Sequence, residues 1–83
     1  MGRPANPVRY LLRTDTIVEH VDRRRLRHGD VADRLSISKG YWSQLLHRQR
    51  PLTAEMRLRI LDSRLFRGLP ERELWERVER GAP

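Results

Sequence analysis

Residues 38–50 combine polar and basic side chains and contain no Asp or Glu. Lys39, Ser43 and His47 recur every four residues, with Gln44 beside them, so a helix would present all four on one face. Ammonium, hydroxyl and amide groups are the side-chain groups that hydrogen-bond to phosphates and to the edges of bases. Solvated helix surfaces normally mix charges of both signs, so a face without acid indicates an anionic partner.

The opposite face of the same segment is apolar. Tyr41, Trp42, Leu45 and Leu46 have the spacing of a buried helical edge. We expect Trp42 and Leu45 to anchor the helix to the core. For Tyr41 two interpretations stay open, because its hydroxyl could donate to a phosphate or its ring could pack inward.

The elements around this segment are predicted to be helices. No stretch alternates apolar and polar residues as a half-buried strand would, so the sequence predicts an all-α fold, a compact bundle of about five short helices. A short helical turn after Pro7 would include Val8, Leu11 and Leu12. The main helices are predicted over residues 14–25, 28–35 and 39–47, then from Thr53 to Gly68 and from Pro70 to Gly81.

Capping residues mark three of these helix starts. Thr16 and Glu19 have the spacing of a capping box, and Ser38 and Thr53 are side chains that accept hydrogen bonds from free N–H groups of a first turn. Arg50 precedes Pro51, which disfavours a helical conformation there and ends the third helix before it.

The predicted organisation is a single domain with an appendage at each end. Residues 1–13 form an arm with a short helix, residues 14–68 a helix-turn-helix domain, and residues 69–83 a C-terminal helix. In that last helix Leu74, Trp75 and Val78 form an apolar edge. The edge either contacts a second copy of the chain or covers the core of its own chain.

The charge of the chain is strongly positive and unevenly distributed. Of its 83 residues 18 are basic and 11 acidic, which gives a formal net charge of +7. The net charge is +6 in residues 1–50 and +1 in residues 51–83. All the basic residues except Lys39 are arginine, whose planar fork suits phosphate groups and guanine edges. This balance is typical of a nucleic-acid-binding protein, and it also fits a protein that binds an acidic partner.

Several classes of protein are excluded by composition. The chain has no cysteine, and His20, His28 and His47 are widely spaced, so we expect no metal site and no cofactor. No cysteine nucleophile, glycine-rich phosphate loop or adjacent acid–histidine pair is present, which argues against an enzyme. The apolar runs are too short to cross a bilayer and residues 1–7 lack the apolar segment of a secretory signal, so we expect a cytoplasmic protein.

The segment from Leu26 to Ile60 resembles the DNA-binding domain of the phage repressor and Cro family of helix-turn-helix regulators. The family's apolar positions on the second helix and in the turn are matched by Val31, Ala32, Leu35 and Ile37. Those of the third helix are matched by Trp42 and Leu45, and the basic loop that follows it is matched by residues 48–51. Three positions depart from the pattern, and at one of them Trp42 is larger than the family's usual residue. Ser36 and Arg48 stand where the family usually has glycine, so we expect a distorted turn at Ser36 and an uncertain helix end at Arg48.

The resemblance implies that the third helix enters the major groove of double-stranded DNA. Carried over by position, the groove-facing residues are Ser38, Lys39, Gly40, Ser43, Gln44 and His47. The rest of the predicted DNA-binding set is Tyr41, Arg48 and Arg50. Gln44 would read adenine through its amide, Arg50 would contact phosphate, and His47 would either contact the groove or cap the helix.

The family also implies a homodimer on a palindromic operator. The expected function is a transcriptional regulator that acts as a repressor and is encoded by a bacterium or a phage. A phage-type repressor, a restriction-modification controller and an antitoxin all fit, and a toxin or the polymerase is an expected candidate for a protein partner. The alternative function is an interaction adaptor whose basic face docks an acidic protein.

Other arginines leave two interpretations open. Arg23, Arg24, Arg25 and Arg27 could clamp a phosphate, or they could complement the negative end of the first helix. Arg3 and Arg9 could enter a minor groove as a flexible arm, or the arm could be disordered.

Overall fold

Five short helices lie between two strands that pair with each other. A computed structural model of the chain describes residues 8–79; the predicted arm up to Pro7, with Arg3, and the predicted stop at Gly81 lie outside the described residues. The elements are β1 (Val8–Leu12), α1 (Thr14–Arg23), α2 (His28–Leu35), α3 (Lys39–Leu46), α4 (Ala54–Ser63), α5 (Glu71–Leu74) and β2 (Trp75–Glu79).

The prediction of an all-α bundle is wrong, because β1 and β2 form a two-stranded antiparallel sheet, here called the terminal ribbon. The predicted helical turn at Val8–Leu12 is β1, and the predicted fifth helix ends at Leu74, where β2 begins. Pairing places Leu12 opposite Trp75 and Arg9 opposite Val78. Opposed residues share one face of a ribbon, so the Leu12–Trp75 pair points into the core and Val78 lies on the other side.

The core draws on every element of the described chain. α1 to α4 each contribute one apolar stripe, and the ribbon closes the core with Leu12 and Trp75. The buried apolar residues are Leu12, Ile17, Val21, Val31, Ala32, Leu35, Trp42, Leu45, Leu52, Met56, Ile60, Leu65, Phe66, Leu74 and Trp75. Because each element supplies only a few of these side chains, none has a core of its own.

α1 starts two residues before the predicted capping box. The residue at its N-terminal cap is Arg13, whose side chain makes no capping hydrogen bond, so the predicted box of Thr16 and Glu19 is wrong. Thr14 instead donates its hydroxyl hydrogen bond to the carbonyl of Leu46 at the end of α3. A long-range contact thus fixes the start of α1 where a local one was expected.

α4 begins as predicted and ends earlier. Thr53 accepts a hydrogen bond from the backbone N–H of Met56 at 3.1 Å, which confirms the predicted cap. The helix ends at Ser63, because Arg64 has a left-handed backbone with φ 61°. The chain then turns through Leu65 and Phe66, which are buried, and Gly68 has φ 94° in the same connection.

Candidate nucleic-acid interface

α2, α3 and the turn 36–38 between them form a helix-turn-helix unit. The N–H of Ile37 donates to the carbonyl of Ala32 and the N–H of Ser36 to that of Asp33, each at 3.0 Å. These two bonds and the left-handed backbone of Ser36 (φ 60°) make a Schellman motif, the arrangement that glycine usually supplies. The predicted distortion is therefore wrong, because serine adopts the glycine conformation with both turn bonds intact.

Arg59 of α4 hydrogen-bonds to the backbone of this turn, a contact that was not predicted from the sequence. Its Nη1 donates to the carbonyl oxygens of Leu35 at 3.1 Å and Ser36 at 3.3 Å, and its Nη2 pairs with Glu55 at 2.9 Å. A cation at the carbonyl end of α2 also complements the helix dipole. The four-residue spacing of Glu55 and Arg59 was visible in the sequence, whereas the contact with α2 was not.

α3 starts with the predicted cap. The Oγ of Ser38 accepts a hydrogen bond from the N–H of Tyr41 at 3.0 Å, which confirms this prediction. Lys39 extends from the first turn toward α2, where a Cβ at Gly29 would lie 3.1 Å from its Cε. Glycine at this position of α2 therefore leaves room for the Lys39 side chain between the two helix N-termini.

The inward face of α3 is the one predicted. Trp42 and Leu45 are buried, while Tyr41 and Leu46 are partly buried against the core. The indole N–H of Trp42 donates to Nδ1 of His28 at 3.0 Å. Because the indole nitrogen can only donate, His28 accepts at Nδ1 and carries its proton on Nε2. This bond ties the middle of α3 to the first residue of α2.

The outward side of α3 carries the predicted groove residues, which together are called the recognition face. Five of them are exposed and Gln44 is half-buried. They are Ser38, Lys39, Gly40, Ser43, Gln44 and His47. The ring of His47 donates from Nδ1 to the carbonyl of Ser43 at 2.8 Å, and its backbone occupies the C-terminal cap of α3. His47 thus caps the helix and also lies on the exposed face.

Arg50 is folded back onto this face by two neighbours. Its Nε donates to Oε1 of Gln44 at 2.7 Å, and its guanidinium carbon lies 5.7 Å from the centre of the Tyr41 ring. Both distances are within the range for a charge-assisted hydrogen bond and a cation–π contact. The structure therefore brings Tyr41, Gln44 and Arg50 together as one cluster.

Arg48 has its side chain engaged elsewhere in the chain. It pairs with Glu76 of β2, and Arg13 lies 3.8 Å from the other oxygen of that carboxylate. The hydrogen bond and positive charge of Arg48 hold the pKa of Glu76 below its ordinary value, and Arg13 adds to the effect against a partial loss of hydration. Arg48 has φ 60°, so α3 ends where the family has glycine. A DNA contact by Arg48 stays a prediction.

The arginine cluster at residues 23–27 lies at the end of α1. Arg23 pairs with Glu19 one turn earlier at 2.8 Å, and Arg24 is the C-terminal cap residue. Arg25 has a left-handed backbone and Arg27 is the N-terminal cap residue of α2. These positions agree with the interpretation that the cluster complements the dipole of α1, and a phosphate contact stays a prediction.

Comparison of the chain with family models, with curated proteins and with solved structures found no match in any of the three. The helix-turn-helix interpretation therefore depends on the residues and geometry described above. Between residues 8 and 79, no three His, Asp or Glu side chains are grouped closely enough to hold a metal ion. Within the same range no helix has the length and apolar character needed to cross a membrane.

Proposed function

We propose that this chain binds double-stranded DNA in a sequence-specific manner and acts as a small transcriptional regulator. The observation that carries the proposal is the recognition face. It is acid-free, all of it except the half-buried Gln44 is exposed, and it lies on the second helix of a helix-turn-helix unit whose other side is anchored by Trp42 and Leu45. In this geometry the second helix fits the width of the major groove and its N-terminal residues reach base edges.

Gly40 gives independent support. It lies in the first turn of α3, and glycine is less stable than alanine in a helix, by about 0.5–1 kcal/mol in a helix interior. A Cβ at this position would have only the Ser38 Oγ nearby, at 4.0 Å, so no contact within the chain requires glycine. Close approach of a partner to the start of α3 accounts for it, and a DNA backbone or base edge is such a partner.

Charge supports the same assignment. Lys39 lies on the recognition face and Arg50 lies beside it. Residues 38–50 contain no acidic residue. Neutralisation of DNA phosphates by such cations releases counterions, so binding should weaken steeply as salt increases. Regulation would then follow from occupancy, because a protein bound over a promoter excludes the polymerase. A homodimer on a two-fold operator would place its half-sites about one helical turn apart.

Selection from a pool of duplexes with a randomised centre tests the proposal. We expect the wild-type chain to enrich a common sequence and to bind it far more tightly than random duplex. Ser43→Glu, which adds an acid to the recognition face, should abolish enrichment. Arg67→Ala is the matched control, since it changes the net charge by the same amount at an exposed site in the connection after α4. Loss of enrichment in both variants, or in neither, would contradict the assignment to α3.

A protein-interaction function is the second candidate, and one observation favours it. Leu58 and Leu61 of α4 are 60% and 41% exposed. They lie one turn apart on the helix, and neighbouring exposed apolar side chains often mark a protein contact. A wild-type chain that enriches no duplex, together with a Leu58→Glu variant of lower sedimentation mass than wild type, would support this function over DNA binding.

A further inference from the structure

The hydrogen bond between Arg50 and Gln44 fixes the orientation of the Gln44 amide. Nε–H of arginine can donate and cannot accept, so the Gln44 atom 2.7 Å away must be the carbonyl oxygen. The amide NH2 group of Gln44 is left as the end that can reach a further partner. The guanidinium is held in turn by the Tyr41 ring.

This arrangement changes what Gln44 can recognise. Reading adenine by a glutamine uses the amide oxygen to accept from the adenine N6 amino group and the amide nitrogen to donate to N7. Here one lone pair of that oxygen already accepts from a cation, so only the second is free for N6, and the adjacent guanidinium N–H groups would lie donor to donor beside the N6 amino group. The pair is therefore a poorer match for adenine than a glutamine without this cation beside it.

Guanine presents the complementary pattern. Its major-groove edge has two acceptors, N7 and O6, and no donor. The Gln44 amide NH2 and the Arg50 guanidinium both donate hydrogen bonds. The positive charge of Arg50 is also attracted to the partial negative charges on O6 and N7. No acidic residue between positions 38 and 50 competes for these donors.

We infer that Arg50 and Gln44 act as one unit that reads guanine in the major groove, with Tyr41 holding the guanidinium in place. The inference rests on the proposed function, and it assigns Arg50 a role in specificity where the sequence predicted a phosphate contact. It also replaces the expected adenine preference of Gln44.

Base analogues test the inference at single atoms. The duplex enriched by the wild-type chain is synthesised with one guanine at a time replaced by 7-deazaguanine, or one adenine by 7-deazaadenine, each of which lacks the N7 acceptor and still pairs normally. Binding is measured by fluorescence anisotropy. At one guanine position we expect 7-deazaguanine to weaken wild-type binding about 5-fold to 150-fold.

The variants then assign that sensitivity to the pair. Arg50→Ala and Gln44→Ala should each remove most of it, and the double variant should be little worse than either one, because the two side chains act together. Arg67→Ala should retain the full sensitivity. Circular dichroism of each variant verifies that it is folded.

Three results would overturn the inference, and they separate it from the proposed function. Sensitivity to 7-deazaadenine that survives in Arg50→Ala would mean that Gln44 reads adenine alone, with DNA binding intact. Equal weakening of all duplexes by Arg50→Ala, without sensitivity to 7-deazaguanine, would mean that Arg50 contacts phosphate only. Enrichment of no duplex at all would overturn the DNA-binding function together with the inference.

Discussion

The helix-turn-helix unit and the terminal ribbon are held by contacts of different range along the chain. In the unit, the hydrogen bonds that define the turn and the cap join residues three to five positions apart, such as Ile37 with Ala32 and Tyr41 with Ser38. In the ribbon every pair joins the two ends of the described chain, as Val8 and Glu79 do. Local contacts thus shape the surface that we assign to DNA, and a distant pairing closes the core beneath it.

The loop after α3 and the start of α4 nevertheless contact the ribbon. Glu76 of the ribbon pairs with Arg48 at the end of α3, and the N–H of Leu52 donates to the carbonyl of Tyr10 at 2.7 Å. The guanidinium of Arg57 also lies 3.9 Å from the Tyr10 ring centre. The loop after α3 is attached to the ribbon by these contacts. Substitutions that destabilise the ribbon should therefore unfold the chain and disrupt the recognition face with it.

The largest effect is expected from the ribbon. Trp75→Ala removes a buried ring and should cost about 3–5 kcal/mol, comparable to the whole stability of a domain of this size. We expect the variant to lose most of its helical circular dichroism at 25 °C, whereas Trp75→Phe should remain folded. A stability loss that depends on protein concentration would instead place Trp75 in a contact between two copies.

A slightly smaller effect is expected within the helix-turn-helix unit. Leu45→Ala leaves a cavity between α3 and the core and should cost about 2–5 kcal/mol in urea denaturation. The neighbouring exposed substitution Ser43→Ala should change the stability by less than about 0.5 kcal/mol. Similar stability of the two variants would mean that the faces of α3 are assigned the wrong way round.

A gain in stability is expected at Gly40. Alanine in this first turn of α3 should stabilise the chain by at most about 0.5–1 kcal/mol, the difference in a helix interior, because the nearest side-chain atom to the added methyl group is the Ser38 Oγ at 4.0 Å. The same change should weaken binding to the selected duplex if DNA approaches the start of α3. Unchanged DNA affinity in the more stable variant would remove Gly40 from the proposed interface.

The smallest effect concerns the ion pair that joins the two regions. Since Arg48 lowers the pKa of Glu76 in the folded chain, the charged carboxylate stabilises the fold above the ordinary glutamate pKa of about 4.3. This contribution is lost as pH falls through the lowered pKa. Glu76→Gln should therefore reduce the melting temperature slightly at pH 7, and the difference from wild type should shrink below about pH 4. A difference in melting temperature between Glu76→Gln and wild type that grows in acid would contradict the pairing of Glu76 with Arg48.

Local signals made α2, α3 and α4 predictable. Ser38 and Thr53 cap helices through bonds to residues three positions later, and the spacing of Trp42 and Leu45 identified the buried face. The turn at Ser36 was harder, because its left-handed backbone is stabilised by Arg59 from a different helix.

The ribbon could not be predicted in the same way. Residues 8–12 and 75–79 are short, and each has apolar residues at positions that fit a helix as well as a strand. What decides between the two is pairing across the length of the chain, which leaves no local mark in either segment. The Arg50–Gln44 bond was missed for a related reason, since it depends on the path of the backbone after α3, which returns Arg50 to Gln44.

Chemical-shift mapping of backbone amides is the most direct test of the central claim that α3 carries the DNA-binding surface. The uniformly ¹⁵N-labelled chain is titrated with the duplex that it selects, and the change in each amide signal is recorded. We predict the largest changes between Ser38 and Arg50 and small changes in the ribbon from Trp75 to Glu79. Changes centred on the exposed leucines of α4, with the signals of α3 unmoved, would contradict the account.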